Sequence, residues 1–249
     1  MTETMPELFI GTSGWNYKAW KADFFAGVVQ KKWLEHYTKY FNAVEVNATF
    51  YRLLQENIIS SWKTRTPDDF FFSIKGSRYT THTKRLKDPL QAVQKQKNNV
   101  WPLQHKIPAV LWQLPASFSV DMDRLRDFAG ALQSWQEVRH ALEFRDSSWF
   151  VPEVASLLED CSLAVCISDA ADWPRWDAVS TNMVYVRLHG RPQTYQSAYS
   201  DDELAQWARK VKAWRHEGRI VHVYFDNTDG PAAPKNAIRL KEILDSGGF

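Results

Sequence analysis

The feature that most constrains the fold of this chain is a repeated unit: an apolar strand that ends on polar residues and leads through a loop to a helix. Alternation with period 2 and flanking turn residues predict eight such strands. They cover residues 8–15, 43–51, 70–76, 108–115, 139–146, 163–170, 182–190 and 220–227. Strands that alternate with helices form parallel sheets with crossover connections. The sequence therefore predicts an α/β fold, a single-domain TIM-type (β/α)8 barrel over residues 1–249.

An open doubly wound sheet is the main alternative fold. Such sheets usually have fewer strands, and the dinucleotide-binding ones carry a G-x-G-x-x-G turn that is absent after the first strand here. Helix signals support the alternation of strands and helices. Asp121 is a predicted N-cap, and Ser200 and Glu203 form a predicted capping box. Only the segment after the sixth strand is short and predicted to be irregular.

The fifth strand shows the pattern most clearly. Its alternation places Glu143 and Arg145 on one face and Leu142 and Phe144 on the other. An acid and a base on an otherwise buried strand are costly unless they pair or take part in chemistry. The strand then ends in a Ser-Ser-Trp-Phe turn, and Pro152 begins the next helix.

Composition narrows the function classes. The net charge is only +2, which gives no global electrostatic reason for binding nucleic acid or membranes. Cys161 and Cys166 are the only cysteines, which suits two structural thiols in a reducing compartment. The start of the chain is acidic and lacks the apolar segment of a secretion signal. No apolar run approaches the roughly 18 residues of a membrane span. We therefore expect a cytoplasmic protein without membrane contact.

Polar residues collect where the predicted strands end. Active sites of (β/α)8 barrels lie at the C-terminal ends of the strands, so we expect these residues to form one ring around the mouth of the barrel. Its expected members are Glu45, Asn47, Lys75, Gln113, Glu143, Arg145, Asp169, Arg187, His189 and either Asp226 or Asn227.

An internal lattice of ion pairs is the structural alternative for this ring. In that interpretation Glu45 and Glu143 neutralise three cations, which are Lys75, Arg145 and Arg187. Replacing buried ion pairs by apolar residues usually costs little stability. Stability alone therefore explains a single pair better than it explains a whole ring.

Glu45 and Glu143 are the candidate catalytic pair. Strands two and five lie almost opposite each other in an eight-stranded barrel, so the two carboxylates are expected to face each other over a ligand. Arg145 would lower the pKa of a neighbouring carboxylate, whereas a carboxylate without such a partner stays protonated longer. One acid and one base are what hydrolysis of a glycosidic or phosphoester bond needs. A hydrolase, acting on a glycoside in the favoured case, is the predicted enzyme class, with Arg187 and His189 holding an anionic substituent.

The expected ligand is a small, anionic and ring-bearing molecule such as a sugar phosphate or a nucleotide. Lys75, Arg145 and Arg187 supply the cations, with arginine as a planar fork and lysine as a point charge. Barrels often hold phosphate in the loops after strands seven and eight, and the second of these loops here opens a helix. These loops add three predicted ligand contacts: Gly190, Arg191 and Asn227.

Aromatic residues are frequent in the loops after the predicted strands. They are Trp15, Tyr17, Phe50, Tyr51, Trp149, Phe150, Trp173, Trp176, Tyr195 and Tyr199. We expect half of them to pack loops onto the barrel and the others to stack on sugar or base rings. Trp15 and Trp149 are predicted to contact the ligand.

Two other function classes stay open. A metal-dependent phosphoesterase acting on nucleic acid would need a bound metal. The chain lacks H-E-x-x-H and paired-Cys spacings, and three cations in the ring would repel a divalent ion, so no metal ligand and no cofactor are predicted. A non-catalytic module for single-stranded nucleic acid or for a protein partner would use the aromatic rim and the cations without chemistry.

Six segments together resemble the domain-of-unknown-function 72 (DUF72) family, the YecE-like proteins. They are 10–15 (IGTSGW), 41–51 (FNAVEVNATFY), 113–115 (QLP), 143–145 (EFR), 187–190 (RLHG) and 224–227 (YFDN). The resemblance covers about residues 8–244, and its motifs are specific as a set and weak singly. It implies a TIM-type barrel of open activity, and it supplies no assigned catalytic residue.

Overall fold

Eight parallel strands enclose the barrel, each shorter than its predicted segment. The computed structural model describes residues 7–246. The strands are β1 Leu8–Thr12, β2 Ala43–Val46, β3 Phe71–Lys75, β4 Ala109–Gln113, β5 Arg139–Glu143, β6 Leu163–Asp169, β7 Met183–Leu188 and β8 Ile220–Phe225. They pair in parallel in the order β1-β8-β7-β6-β5-β4-β3-β2. The sheet nearly closes between β1 and β2, where Ser13 forms an isolated parallel bridge with Glu45.

The helices cover the outside of the barrel. They are α1 Trp33–Tyr37, α2 Ala48–Tyr51, α3 Glu56–Thr64, α4 Leu90–Val100, α5 Met122–Leu132, α6 Pro152–Asp160, α7 Asp201–His216 and α8 Ala232–Ser246. The predicted caps are present: Asp121 accepts the backbone N–H of Arg124, and Ser200 and Glu203 form a capping box. No helix lies between β6 and β7 in the described chain, as expected. The (β/α)8 barrel is confirmed, although the predicted domain limits, 1 and 249, lie outside the described residues.

Side chains along each strand alternate between the barrel interior and the layer under the helices. Leu142 and Phe144 belong to the large core between strands and helices. Ala141 belongs to the cluster inside the barrel, and Glu143 shares its phase on β5. The interior cluster is Phe9, Ala43, Ala109, Leu111, Ala141, Ala164, Cys166, Met183, Tyr185 and Tyr224.

The interior becomes polar toward the C-terminal ends of the strands. The hydroxyl of Tyr224 forms a hydrogen bond with that of Ser73 at 2.7 Å and lies 3.2 Å from Nδ1 of His222. The hydroxyl of Tyr185 donates to Glu45 Oε2 at 2.8 Å. These bonds satisfy groups that water does not reach. They form the floor beneath the ring of charged residues.

Two further observations concern the thiols and the helices. Cys161 and Cys166 are both free, and only Cys166 is buried. None of the helices within residues 7–246 is both long enough and apolar enough to cross a membrane.

Candidate active site at the barrel mouth

Arg187, on β7, lies at the centre of the ring and is fully buried. Its Nε donates to both oxygens of Glu45, at 3.0 and 3.2 Å, and its Nη2 donates to Glu45 Oε1 at 2.8 Å. Nη1 donates to Glu143 Oε2 at 2.8 Å, and Nη2 donates to Asp226 Oδ2 at 2.8 Å. Charge-assisted bonds of this kind are strong and directional. Arg187 therefore joins the ends of β2, β5 and β8 to β7.

Hydroxyl groups complete the surroundings of the two glutamates. Ser13 Oγ donates to Glu45 Oε1, and Tyr185 Oη donates to Glu45 Oε2 at 2.8 Å. Ser168 Oγ donates to Glu143 Oε1 at 3.2 Å. Both glutamates are fully buried, so these hydrogen bonds offset part of the cost of removing the carboxylates from water.

His189 contacts the ring through both of its nitrogens. Nε2 lies 3.2 Å from Arg187 Nη1, which can only donate, so Nε2 accepts and the imidazole proton sits on Nδ1. Nδ1 lies 3.0 Å from Asp226 Oδ2. Burial and the positive charge of Arg187 lower the pKa of His189, so the ring is mostly neutral at pH 7. His189 therefore contributes a positioned, uncharged imidazole.

Two carboxylates of the ring are held ionised by the cations around them. Burial raises the pKa of Glu143, but Arg145 and Arg187 together hold that pKa well below its usual range. Burial also raises the pKa of Asp226, but Arg187, His189 and Lys75 together hold that pKa below its usual range. Glu143 is therefore ionised at pH 7 and suited to stabilise a positive charge, and it is not suited to donate a proton.

The part of the chain that the structure describes contains no cluster of residues suited to bind a metal ion. No group of three or more His, Cys, Asp or Glu side chains there is placed to hold a metal ion. The carboxylates of Glu45, Glu143 and Asp226 all bind the guanidinium of Arg187.

Lys75 differs from the arginines of the ring. It ends β3 with 8% of its surface exposed, and its Nζ lies 4.5 Å from the centroid of the Phe50 ring. Within residues 7–246 this ammonium has no hydrogen-bond acceptor and no ion-pair partner. Burial, and then the charge of Arg187, lower the pKa of Lys75 to about 8. Lys75 therefore has unused donors and loses its proton far more readily than an ordinary lysine.

Arg145 follows β5 and extends the site toward solvent. Its Nε donates to Glu143 Oε1 at 2.9 Å, and its Nη1 donates to Tyr195 Oη at 3.4 Å. The guanidinium lies 3.8 Å from the centroid of the Trp173 ring, as in a close cation–π contact. Nη2 has no acceptor among the described residues. Arg145 thus keeps one free edge at the mouth.

His82 is a further base near the mouth. It lies in a single π-helical turn, Tyr79–Thr83, a distortion that is frequent at functional sites. Its ring contacts Phe50, the residue that Lys75 also contacts, with centroids 5.1 Å apart. Burial and the charge of Arg78 lower the pKa of His82 to about 4, so it is neutral at pH 7.

Asp169 lies outside the ring in which the sequence predicted it. On β6 it is Ser168 that contacts Glu143, and Asp169 has the opposite phase. The carboxylate of Asp169 accepts from Tyr199 Oη at 2.8 Å and from Arg191 Nε at 2.9 Å. The predicted contacts Asp169 and Arg191 are therefore paired with each other, in a cluster that fastens the loop after β7.

Gly190 and Asn227 form hydrogen bonds that fix the loop after β7. The backbone N–H of Gly190 donates to Tyr199 Oη at 3.0 Å. Gly190 has φ +93°, and a Cβ there would lie 2.7 Å from the carbonyl oxygen of Ser197, so only glycine fits. Asn227 Nδ2 donates to Ser197 O and to Asn236 Oδ1, both at 3.0 Å.

Two predicted ligand contacts are buried and already bonded. Gln113 ends β4, and its Nε2 donates to the carbonyl oxygen of Leu114 at 2.8 Å. Trp149 is fully buried, and its Nε1 donates to the carbonyl oxygen of Phe118 at 2.6 Å. Trp149 therefore packs its loop onto the barrel, which is the role expected for half of the aromatic residues.

Asn47 and Trp15 line a cleft beside the mouth. Its volume is about 360 Å³, and Trp62 forms part of its wall. Trp15 packs edge-to-face on Trp62, with centroids 5.2 Å apart. Asn47 Oδ1 is buried and has no hydrogen-bond partner among the described residues. These two predicted contacts lie together, next to the ring.

Comparison with known proteins decides the family. The family described as "Protein of unknown function DUF72" matches residues 9–248. The chain belongs to the DUF72 family. The UPF0759 protein YunF of Bacillus subtilis (strain 168) is 24% identical over 269 residues, which cover 96% of this chain and 95% of YunF. The UPF0759 protein YecE of Escherichia coli (strain K12) is 28% identical over 144 residues, 57% of this chain and 50% of YecE.

A solved structure supports the same assignment. The crystal structure of a DUF72 family protein from Thermotoga maritima MSB8 matches with a TM-score of 0.87 at 25% identity, covering 96% of this chain and 100% of that one. The resemblance to DUF72 proteins and the barrel are thereby confirmed. The family description assigns no activity, so the function of this DUF72 protein has to be inferred from its own site.

Sequence reasoning missed Ser13 and Ser168 in this DUF72 protein, and it left Asp226 and Asn227 as alternatives. Period 2 was a signal for two of them: Ser168 follows Cys166 by two positions, and Asp226 follows Tyr224 by two. The same period therefore selects Asp226, and not Asn227, as the member of the ring that follows β8. Ser13 had no comparable signal, because it follows the end of β1 and meets Glu45 only where the barrel closes.

Proposed function

We propose that the protein binds an anionic, ring-bearing small molecule, a sugar phosphate or a nucleotide, at the C-terminal mouth of the barrel. The observation that carries the proposal is the Lys75 ammonium, which is buried without an acceptor among residues 7–246. A buried cation without a counter-ion is costly. An anionic ligand supplies the missing partner. Arg145 Nη2 offers a second free donor to the same ligand.

The proposal assigns the anion contact to Lys75 and Arg145 and not to Arg187. Arg187 has no exposed surface, and its nitrogens already donate to three carboxylates. His189 shares this limit, because its Nε2 lies 3.2 Å from Arg187 Nη1 and its Nδ1 lies 3.0 Å from Asp226. Both residues act in the proposal by fixing the carboxylates.

Aromatic rings next to the free donors support a ring-bearing ligand. Trp173 and Tyr195 are both partly exposed, and their ring centroids lie 6.3 Å apart. Arg145 lies against Trp173 and donates to Tyr195, so its free edge and the two rings belong to one surface. Surfaces of this kind suit sugar and base rings that carry a phosphate.

Glu143 is the carboxylate that we propose acts on the bound ligand. It stays ionised, and it is bonded to Arg145 at the mouth. Arg187 bridges Glu143 and Glu45, so we assign Glu45 the role of a structural partner and give the chemistry to Glu143 alone. Hydrolysis of a glycosidic or phosphoester bond stays a prediction for this site.

A thermal-shift screen tests the binding step. Sugar phosphates and nucleotides at about 10 to 100 times their Kd should stabilise the fold by about 1–3 kcal/mol. Lys75→Met should abolish the shift, whereas Lys97→Met, which removes a surface pair with Glu137, should keep it. The proposal is wrong if every phosphorylated compound leaves Tm unchanged while neutral glycans raise it.

The matched pair Glu143→Gln and Glu45→Gln tests the assignment of the chemistry. Each variant removes one carboxylate from Arg187, so both should melt earlier than the native protein. On a substrate found in the screen, Glu143→Gln should lose turnover by a factor of about 100 or more while still binding. Glu45→Gln should keep most of its turnover. Equal losses in the two variants would show that Glu143 has no separate role.

A further inference from the structure

The free lysine of the mouth carries an inference that rests on the proposed function and narrows its substrate. We propose that Lys75 is a covalent nucleophile that forms an imine with the carbonyl group of a phosphorylated aldehyde or ketone, the open-chain form of a sugar phosphate. Nucleotides have no such carbonyl on the sugar, because the base occupies the anomeric carbon. The site is therefore assigned to sugar phosphates.

The position of Nζ favours an amine that gives up its proton. Lys75 ends β3, and its Nζ lies over the face of Phe50 with no carboxylate within ion-pair distance among the described residues. An ion pair would favour the ammonium form, which has no lone pair for attack. Desolvation and a neighbouring cation both activate a lysine by lowering its pKa, and Lys75 has both, through its burial and the charge of Arg187.

Lys106 is a second lysine with little exposed surface, and its hydrogen bonds differ from those of Lys75. It has as little exposed surface as Lys75, although fewer protein atoms surround its Nζ. Its Nζ donates to the carbonyl oxygen and the hydroxyl of Thr66, both at 3.3 Å, and to the carbonyl oxygen of Pro67. Those three acceptors require the ammonium form. Lys106 is therefore an internal control, and we expect it not to react.

The covalent step balances without an oxidant or a reductant. The neutral amine of Lys75 adds to the carbonyl carbon, and a proton moves from nitrogen to oxygen to give a carbinolamine. The hydroxyl takes a second proton and leaves as water, and a protonated C=N bond forms. In sum, the ammonium and the carbonyl compound give a protonated imine and water.

The ring of charged residues fits the product of that step. The protonated imine carries the charge that the ammonium carried, so the net charge at the mouth does not change. Glu143, held ionised by Arg145 and Arg187, stabilises that positive charge. Arg145 Nη2 is left to hold the phosphate group.

Reductive trapping tests the inference on the full-length protein. Ribose 5-phosphate with sodium cyanoborohydride should place one stable adduct on the peptide that contains Lys75. Labelling of Lys75 should be at least about tenfold faster than that of Lys32, whose side chain is 61% exposed, and Lys106 should stay unmodified. Lys75→Arg should abolish the adduct. Ribitol 5-phosphate, which has no carbonyl, should compete without labelling.

Three results would overturn the inference. If ribose 5-phosphate raises Tm but Lys75 is not labelled, the imine is wrong and the proposed binding stands. If Lys75 and Lys32 are labelled at the same rate, the adduct is ordinary glycation of surface amines. If ribose 5-phosphate, glucose 6-phosphate and dihydroxyacetone phosphate give neither a shift in Tm nor an adduct, the imine and the sugar-phosphate site fail together.

Discussion

The two ends of the barrel each bury one lysine, and the two lysines differ in their partners. Lys75 closes β3 at the mouth and is 8% exposed, while Lys106 precedes β4 at the opposite end and is 7% exposed. Burial lowers the pKa of both. Lys106 has acceptors on Thr66 and Pro67, whereas Lys75 has none among the described residues. Burial therefore makes a charge costly at both lysines, and hydrogen-bond acceptors offset that cost for Lys106 but not for Lys75.

The largest expected effect comes from removing Arg187. This residue pairs with the three carboxylates of the ring, and none of them pairs with Lys75. Arg187→Met leaves Glu45, Glu143 and Asp226 buried without their shared cation. The free energy of unfolding should fall by about 3–5 kcal/mol. The pKa of Lys75 should rise above 8, because a repelling charge disappears and carboxylates become free. Urea unfolding measures the first change, and the pH dependence of amine labelling at Lys75 measures the second.

Arg126→Met is the matched control, since it removes an exposed arginine that pairs with Asp123 on α5. Exposed pairs are worth about 0–1 kcal/mol, so this variant should unfold almost as the native protein does. If Arg187→Met were equally harmless, the ring would not depend on its central guanidinium.

The next effect concerns the pH dependence that Lys75 confers on stability. Its pKa is lowered from the ordinary 10.5 to about 8 in the folded protein, so between these values the unfolded chain binds more protons. Stability therefore rises with pH across that window, by about 3 kcal/mol at most, and the cost is fully present below pH 8. Lys75→Met should be no less stable than the native protein near neutral pH, and its advantage should disappear as pH rises.

The quantity to measure is the difference in the free energy of unfolding between Lys75→Met and the native protein. The tyrosines titrate in both proteins, so their contribution cancels in that difference. Urea unfolding at a series of pH values gives that difference. A constant difference from neutral pH to about pH 10 would mean that the pKa of Lys75 is not lowered in the folded state.

The smallest effect is expected at the amino end of the barrel. Lys106→Met removes the donor to Thr66 and Pro67 and leaves buried oxygens without a partner. The free energy of unfolding should fall by about 1–3 kcal/mol, with a weaker dependence on alkaline pH than at Lys75, because the pKa of Lys106 is lowered less. Thermal and urea unfolding of the two methionine variants, compared at neutral pH, check this. A Lys106→Met protein as stable as Lys75→Met would remove the distinction between the two ends.

The direction in which a strand side chain points was predictable from the period-2 alternation, provided that the alternation was followed to the last residue of the strand. Glu143 faces the mouth and Phe144 faces the helices, as alternation predicted for β5. The same alternation on β6 predicts that Ser168 points to the mouth, because Cys166 lies inside the barrel, yet sequence reasoning chose the charged residue Asp169. Charge was a weaker guide than phase, since pleating sets the direction of a side chain regardless of its chemistry.

Local patterns in the sequence were sufficient to predict the barrel, its polar end and the helix caps, because these depend on period, turn chemistry and neighbours within a few residues. Partner choice was not local: Glu45 and Arg187 are 142 residues apart, and Asp226 lies 39 residues from Arg187. Only the closed barrel brings them within 3 Å, where the planar guanidinium binds three carboxylates at once. That arrangement leaves Lys75 without a carboxylate of its own, and the tertiary structure alone therefore decided which of the predicted cations has no ion-pair partner among the described residues.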